Sequence, residues 1–274
     1  MLSPRFASNQ VLRQASTNSP PLSKGARGHA VHVVQMALLD LGHKMPGSTG
    51  GQYSPDGIFG AETVSVVKAF QRSCKLVDDG VIGRKTMEAL SAKLPGYSHR
   101  VRLHFRSLVL TSVPFARILA DAELTFGQYG IRVDMANGES LALTAAEAAK
   151  FDRIDQECNW ALNDGEFNEL HQLGTRAPMT DILVYFIKTF KQANLHGCGG
   201  HADKRPAVTV AARANRWDTA HEIGHVLLGS SFAPVHAGDT RNLMFAISSS
   251  SSAVPTLNEK QLARMRTNIC CQAI

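Results

Sequence analysis

Residues 217–229 read Trp-Asp-Thr-Ala-His-Glu-Ile-Gly-His-Val-Leu-Leu-Gly, and within them His221, Glu222 and His225 have the types and spacing that hold and use a metal ion. On a helix of 3.6 residues per turn the two histidines lie one turn apart on one face, so both imidazoles can bind a single tetrahedral zinc. Glu222 can then reach a water on that ion. Zinc lowers the water's pKa toward ~7, the carboxylate accepts its proton, and the metal polarises the carbonyl under attack. An HExxH string arises by chance in about 1–2 % of chains of this length. Here it follows the strand-like run 207–212, is apolar at Ile223, Val226 and Leu227, and stops at Gly229, as a buried helix would. A catalytic zinc needs a third protein ligand and keeps its fourth position for water.

Residues 229–244 continue Gly-Ser-Ser-Phe-Ala-Pro-Val-His-Ala-Gly-Asp-Thr-Arg-Asn-Leu-Met. With the helix before it, this stretch resembles the metzincin metallopeptidases, whose motif HExxHxxGxxH ends on a third zinc-binding histidine and is followed by a turn with a methionine beneath the metal. The resemblance implies one catalytic zinc ion held by His221 and His225, Glu222 as general base, and a Met-turn at Asn242-Leu243-Met244. The chain departs from the pattern, because the glycine and third histidine fall due at 228 and 231, where Leu228 and Ser231 stand. Gly229 can break the helix, and a longer loop can deliver His236. His236 is therefore the expected third ligand, with Asp239 or a residue from elsewhere as alternatives. Met244 alone would read as core, and its place after the third-ligand candidate gives it the turn role.

The elements that must position this constellation alternate in type. Residues 99–110 and 131–135 read as strands, 115–129 as an amphipathic helix, 144–160 as an Ala-rich helix and 167–173 as a weaker one. Residues 181–190 and 207–212 are buried, β-branched strands, and 256–268 is a closing helix after the serine-rich connection 248–252. Strands alternating with helices predict an α/β or α+β layer, and that order suits the metzincin resemblance.

The first third is organised differently. Val31, Val34, Leu38 and Leu41 fall at helical spacing before Gly42, and further helices are expected over 61–74 and 84–94. Both later helices are preceded by one phrase, Asp56-Gly57-Ile58-Phe59-Gly60-Ala61-Glu62-Thr63 and Asp79-Gly80-Val81-Ile82-Gly83-Arg84-Lys85-Thr86. Asp-Gly makes a tight turn, the apolar pair pins it to a core, and the second glycine lets the backbone enter the helix. With Val34-Gln35 and Phe70-Gln71, residues 25–95 resemble the peptidoglycan-binding domain type 1 family of small three-helix modules. That resemblance implies recognition of cell-wall peptidoglycan, although such modules also serve as folding or docking units. Residues 1–24 read as an extended leader, and Pro95-Gly96 opens a linker over 96–100. The expected architecture is thus a small all-α module followed by an α/β (α+β), metzincin-like zinc peptidase domain over 101–274.

At 274 residues and 44 % hydrophobic content the chain can bury ordinary cores, and no apolar run approaches the ~18–20 residues of a membrane span. The net charge is +6, of which +5 falls before Pro95, without a dense basic run interleaved with aromatics, so no nucleic-acid partner is indicated. Among five cysteines, a bridge from Cys158 or Cys198 to the Cys270/Cys271 pair stands against plain buried thiols. Cys198-x-x-His201 could join Cys270 or Cys271 in a second, structural zinc site, against a loop or edge strand beside the cleft. The function expected is a zinc endopeptidase acting on proteins or peptides. The rivals are hydrolysis of peptidoglycan cross-link peptides and a non-enzymatic wall-binding protein with a structural zinc. The residues MLSPRFASNQVLRQ lack the basic start and apolar run of a secretory signal, so an effector secreted or injected by a signal-independent route is expected.

Overall fold

A computed structural model describes the chain except residues 51–54, 110–114, 160, 161, 163, 203, 204 and 248–251, and the side chains of 201 and 202. The serine run therefore lies largely outside the described residues. The chain forms two compact units. One comprises Met1–Ser98 with Phe126–Gly130 and Thr256–Leu262; the other comprises His99–Thr125, Ile131–Pro255 and Ala263–Ile274.

The first unit is helical: α1 (Pro4–Ala7), α2 (Gln10–Ala15), α3 (His29–Asp40), α4 (Pro46–Thr49), α5 (Ala61–Ser73) and α6 (Arg84–Lys93). The leader expected to be extended folds instead. Ser3 and Asn9 accept the amide protons that cap α1 and α2, and Phe6, Leu12 and Ala15 join the core of Val31, Val34, Phe59, Val67, Phe70 and Ile82. Leu22 exchanges two backbone hydrogen bonds with Ile82, and Asn18 Oδ1 accepts from Arg84 N at 2.7 Å, closing the entry to α6. Apolar residues so widely spaced show no helical period on their own; their partners lie elsewhere in the chain, from Val31 to Leu90.

The repeated phrase is held by a glutamine clamp. Gln35 Nε2 donates to Asp56 Oδ1, Ile58 O and Thr63 Oγ1 while its Oε1 accepts from Gly57 N; Gln71 does the same with Asp79, Val81, Thr86 and Gly80. Gly57 and Gly80 have φ of 67° and 74°, the left-handed backbone that the turn needs. Both glutamines are buried, so the phrase is a satisfied polar joint between turn and helix.

The second unit carries β1 (His99–Ser107), all but the last two residues of α7 (Phe115–Gly127), β2 (Ile131–Ser140), α8 (Ala145–Lys150), β3 (Arg153–Ile154), α9 (Gly165–His171), β4 (Ile182–Ile187), β5 (Thr189–Phe190), β6 (Gly197–Ala202), β7 (Arg205–Ala211), α10 (Asp218–Leu228), the last four residues of α11 (Glu259–Arg266) and β8 (Gln272–Ala273). Its main sheet runs β2-β1-β4-β7-β6, with the first four strands parallel, β6 antiparallel at the edge and β8 paired to β1. The expected order, a helical module and then an α/β sheet domain, is what the chain shows. β1 begins at His99, inside the span read as linker, and β2 runs on to Ser140.

The helix expected over 144–160 stops at Lys150. A Thr144–Glu147 capping box starts it, but Phe151 and Ile154 are drawn into a core with Phe167, Leu170 and Tyr185, and Arg153–Ile154 pair with Thr189–Phe190. Burial of two large apolar groups outweighs the few tenths of a kcal/mol per residue that helix propensity supplies.

Truncating either clamp strands a buried turn amide, Gly57 N or Gly80 N, and takes a donor from the buried hydroxyl of Thr63 or Thr86. Gln35→Ala and Gln71→Ala are each expected to destabilise the first unit by about 2–4 kcal/mol, read as lost native-state hydrogen-exchange protection across α3 and α5, with the amides of β4 unchanged.

Candidate metal centre

Helix α10 lies against β6 and β7 and ends at Gly229, whose φ of 74° turns the chain away. His221 and His225 share one face of it. His221 Nδ1–H donates to Leu243 O at 2.6 Å, which fixes the tautomer and leaves Nε2 bare, 3.0 Å from His225 Nε2. His236, exposed at the end of the loop after α10, brings a third ring, with centroids 5.5 Å from His221 and 5.0 Å from His225. Among the described residues these three form the cluster able to hold a metal, their ligand nitrogens all within 4.8 Å of one another. Asp239 is outside it and pairs with Arg241. Position 231 is engaged elsewhere, for Ser231 Oγ accepts from Arg264.

Burial is the first cause that lowers all three imidazole pKa values; for His225, pushed down to about 3, His221 and His236 add to it. Neutral rings with converging lone pairs are a donor set for a borderline-soft cation. The nitrogens of a tetrahedral zinc stand about 3.4 Å apart, inside the 3.0 to 4.8 Å found here.

Asn242-Leu243-Met244 supports the cluster from below. Met244 N donates to Asn242 Oδ1 at 2.9 Å, its carbonyl accepts from Ala237 N at 2.7 Å, and its side chain is fully buried. One turn thus orients His221 through Leu243 O and ties down the segment next to His236. A Cβ at Gly224 would stand 2.5 Å from Met244 Sδ, so the glycine inside the motif is where the methionine fits under the helix.

Glu222 is buried, and its carboxyl is raised to about 8, first by burial, then by Asp218, against the lowering effect of a hydrogen bond from the Gly199 amide. An ideal Cβ on Gly197 would lie 2.5 Å from Glu222 Cγ and Oε1, and one on Gly199 would run into the Glu222 carbonyl. Gly197 and Gly199 give α10 its seat, a close approach that the run Gly-Cys-Gly-Gly signals and that the motif alone did not reveal. The histidines and Glu222 open on a cavity of about 650 Å³, also lined by His196 and Val235.

Cys198 points to the other face and bonds Cys158, while Cys270 and Cys271 are buried free thiols. This corrects the expected bridge to the Cys270/Cys271 pair and removes Cys198 as a zinc ligand; His201 lies outside the described side chains. The segment is an edge strand beside the cleft, the other reading offered for it.

Residues 27–90 match the family of peptidoglycan binding domains. The chain is 38% identical over 71 residues to N-acetylmuramoyl-L-alanine amidase CwlL of Bacillus licheniformis, a match spanning 26% of this chain and only 18% of the amidase. Among solved structures it is similar to metalloproteinase-II from Bacteroides fragilis, at TM-score 0.42 and 12% identity over 62% of this chain and 52% of that one. It is also similar to archaemetzincin from Methanopyrus kandleri, at TM-score 0.39 and 13% identity over 62% and 96%. Scores of this size leave the site to be argued from its own geometry.

Replacing a helix-interior glycine by alanine ordinarily gains about 1 kcal/mol, but overpacking costs about 1–3 kcal/mol. At Gly224 the contact with Met244 decides: Gly224→Ala is expected to lower stability and to weaken any metal binding by the three-histidine cluster about tenfold. Gly199→Ala, which meets backbone, is expected to weaken it more, both by competition titration with a chromophoric chelator.

Proposed function

We propose that the chain is a zinc-dependent endopeptidase with a metzincin-like catalytic unit, brought to bacterial cell wall by its first module. The observation that carries this is three neutral imidazoles converging beside a buried glutamate at the wall of an open cavity. His221, His225 and His236 would hold one zinc ion, with Met244 as the Met-turn residue beneath them. Bound zinc supplies a Lewis acid for the scissile carbonyl and acidifies water.

The protein's own groups do the rest. Glu222 would take the proton of the attacking water and return it to the amine that leaves. The edge of β6 offers backbone groups along which an extended peptide can lie. Peptide segments of peptidoglycan are a second substrate reading, favoured by the family match over residues 27–90. The amidase name of the similar Bacillus protein points to the same polymer. The Cys158–Cys198 disulfide supports action in an oxidising compartment, outside the bacterial cytoplasm, as a secreted or injected effector.

Glu222→Gln is expected to keep one zinc per chain and lose about 10²–10⁴ in turnover, by metal analysis and product mass spectrometry with denatured protein and purified peptidoglycan in parallel. Unchanged turnover would sink the mechanism; cuts confined to peptidoglycan would decide for the second substrate. His236→Ala is expected to weaken zinc by about 100-fold or more. Stripping zinc should abolish turnover while the fold persists; unfolding on chelation would instead mark a structural zinc.

A further inference from the structure

The Cys158–Cys198 disulfide reaches the wall of the cavity. Cys198 is fully buried within β6, and Cys158, its partner at a Cα–Cα distance of 5.7 Å, is exposed and lines the cavity together with Asn159. Before them the chain is tied to α9. Asp155 N and Gln156 N donate to Glu166 Oε2 at 2.6 and 3.1 Å, and Gln156 Oε1 accepts from Phe167 N at 2.8 Å. After them Leu162 is buried in the core. Between these anchors Glu157, Cys158 and Asn159 make no hydrogen bond or ion pair among the described residues, so the disulfide is what fixes this stretch of wall.

The strand does not need the bond. β6 pairs with β7 from Gly197 to Ala202, and Gly197 and Gly199 seat Glu222 on the face away from the sulfur. Neither the Gly199 amide on Glu222 nor the three imidazoles involve a cysteine. Breaking the disulfide therefore frees a wall of the cavity and leaves the metal centre in place. Cys74, Cys270 and Cys271 are thiols already, so among the described residues a reductant acts on this bond alone.

We propose that the Cys158–Cys198 disulfide is a redox latch on the cleft: oxidised, it holds residues 157–159 as a substrate-facing wall, and reduced, it releases them while the metal centre stays. The inference rests on the peptidase reading above. A dithiol reductant opens the latch. One of its thiolates attacks Cys158 Sγ, the S–S bond breaks, and Cys198 leaves and gains a proton; the second thiol then displaces Cys158 as the reductant closes its own disulfide. Two electrons pass to the protein, and two cysteine thiols result. A reducing cytoplasm would hold the chain open and weak, and an oxidising compartment would close it. A wall ordered beforehand removes an ordering step from binding, worth about tenfold in affinity for a pair of side chains.

The test uses the full, zinc-loaded chain and a synthetic peptide spanning a bond found by product mass spectrometry. Peptide binding is read by fluorescence anisotropy on Glu222→Gln, before and after reduction with a phosphine, which takes up the oxygen of a water as the disulfide becomes two thiols. Reduction is expected to raise the peptide Kd about tenfold, and to raise KM of the wild type to match, with kcat and zinc stoichiometry unchanged. Hydrogen exchange should speed up at 157–159 and stay as it was in β6 and α10. Cys158→Ser/Cys198→Ala should bind weakly from the start and not respond to the phosphine. Equal Kd for the oxidised and reduced chain overturns the inference even where the melting temperature falls, because a merely structural cross-link would move stability alone. Loss of zinc on reduction, or a double variant that binds like the oxidised chain, overturns it too. A wild type that cleaves equally well in both redox states removes the latch and leaves the peptidase reading standing. A wild type that cleaves nothing, or a Glu222→Gln variant as active as the wild type, removes the peptidase reading itself.

Discussion

The hydrogen bond from His221 Nδ1 to Leu243 O sets the chemical state of the centre. With the proton held on that side, Nε2 can present only a lone pair to His225 and His236. The carbonyl that accepts it belongs to the turn that buries Met244, and Met244 in turn accepts from Ala237, the neighbour of His236. A single loop therefore fixes one ligand's tautomer and another's position. Both depend on the space that Gly224 leaves for the methionine.

The same economy appears on the opposite side of α10. Along β6 side chains alternate between faces, so Gly197 and Gly199 lie under the helix while Cys198 faces away. The small face lets Glu222 sit against the strand with the Gly199 amide donating to its carboxylate. The other face anchors residue 158, which also lines the cavity, to the sheet edge. Desolvation of Glu222 is thus a product of packing: a larger residue at either glycine would lift the helix and let water reach the carboxylate.

Features that are local in sequence were legible in it. The two histidines and the glutamate on one helix, the repeated Asp-Gly phrase, and the strand 207–212 all announce themselves within a dozen residues. Those that failed depend on distant partners. The 1–24 segment folds because Phe6 and Leu12 find a core built by residues 31–90, and the helix from Thr144 ends early because Phe151 and Ile154 find one built by residues 162–211. His236 stands five places beyond the family spacing, so only the path of the loop could show that it meets the other two rings. The cysteine pairing was hidden for the same reason, as β6 turns Cys198 toward residue 158 and away from the carboxy terminus.

The two units differ in how they spend their polar groups, and that difference separates fold from function. In the first, the most distinctive residues of the sequence are consumed internally: Gln35 and Gln71 bind the Asp, Thr and Gly of the phrases they precede, so the repeat explains a fold and offers a ligand little. A peptidoglycan contact by this unit must then fall on side chains outside the clamp, which take no part in holding the turns. In the second, polar groups of the cleft are held from behind, His221 by the Leu243 carbonyl and Glu222 by the Gly199 amide, and both line one cavity. The three imidazoles of the cluster, in a site whose burial disfavours protonating them, keep lone pairs free for a metal cation, so the fold has placed its uncommitted polar groups here and not in the first unit.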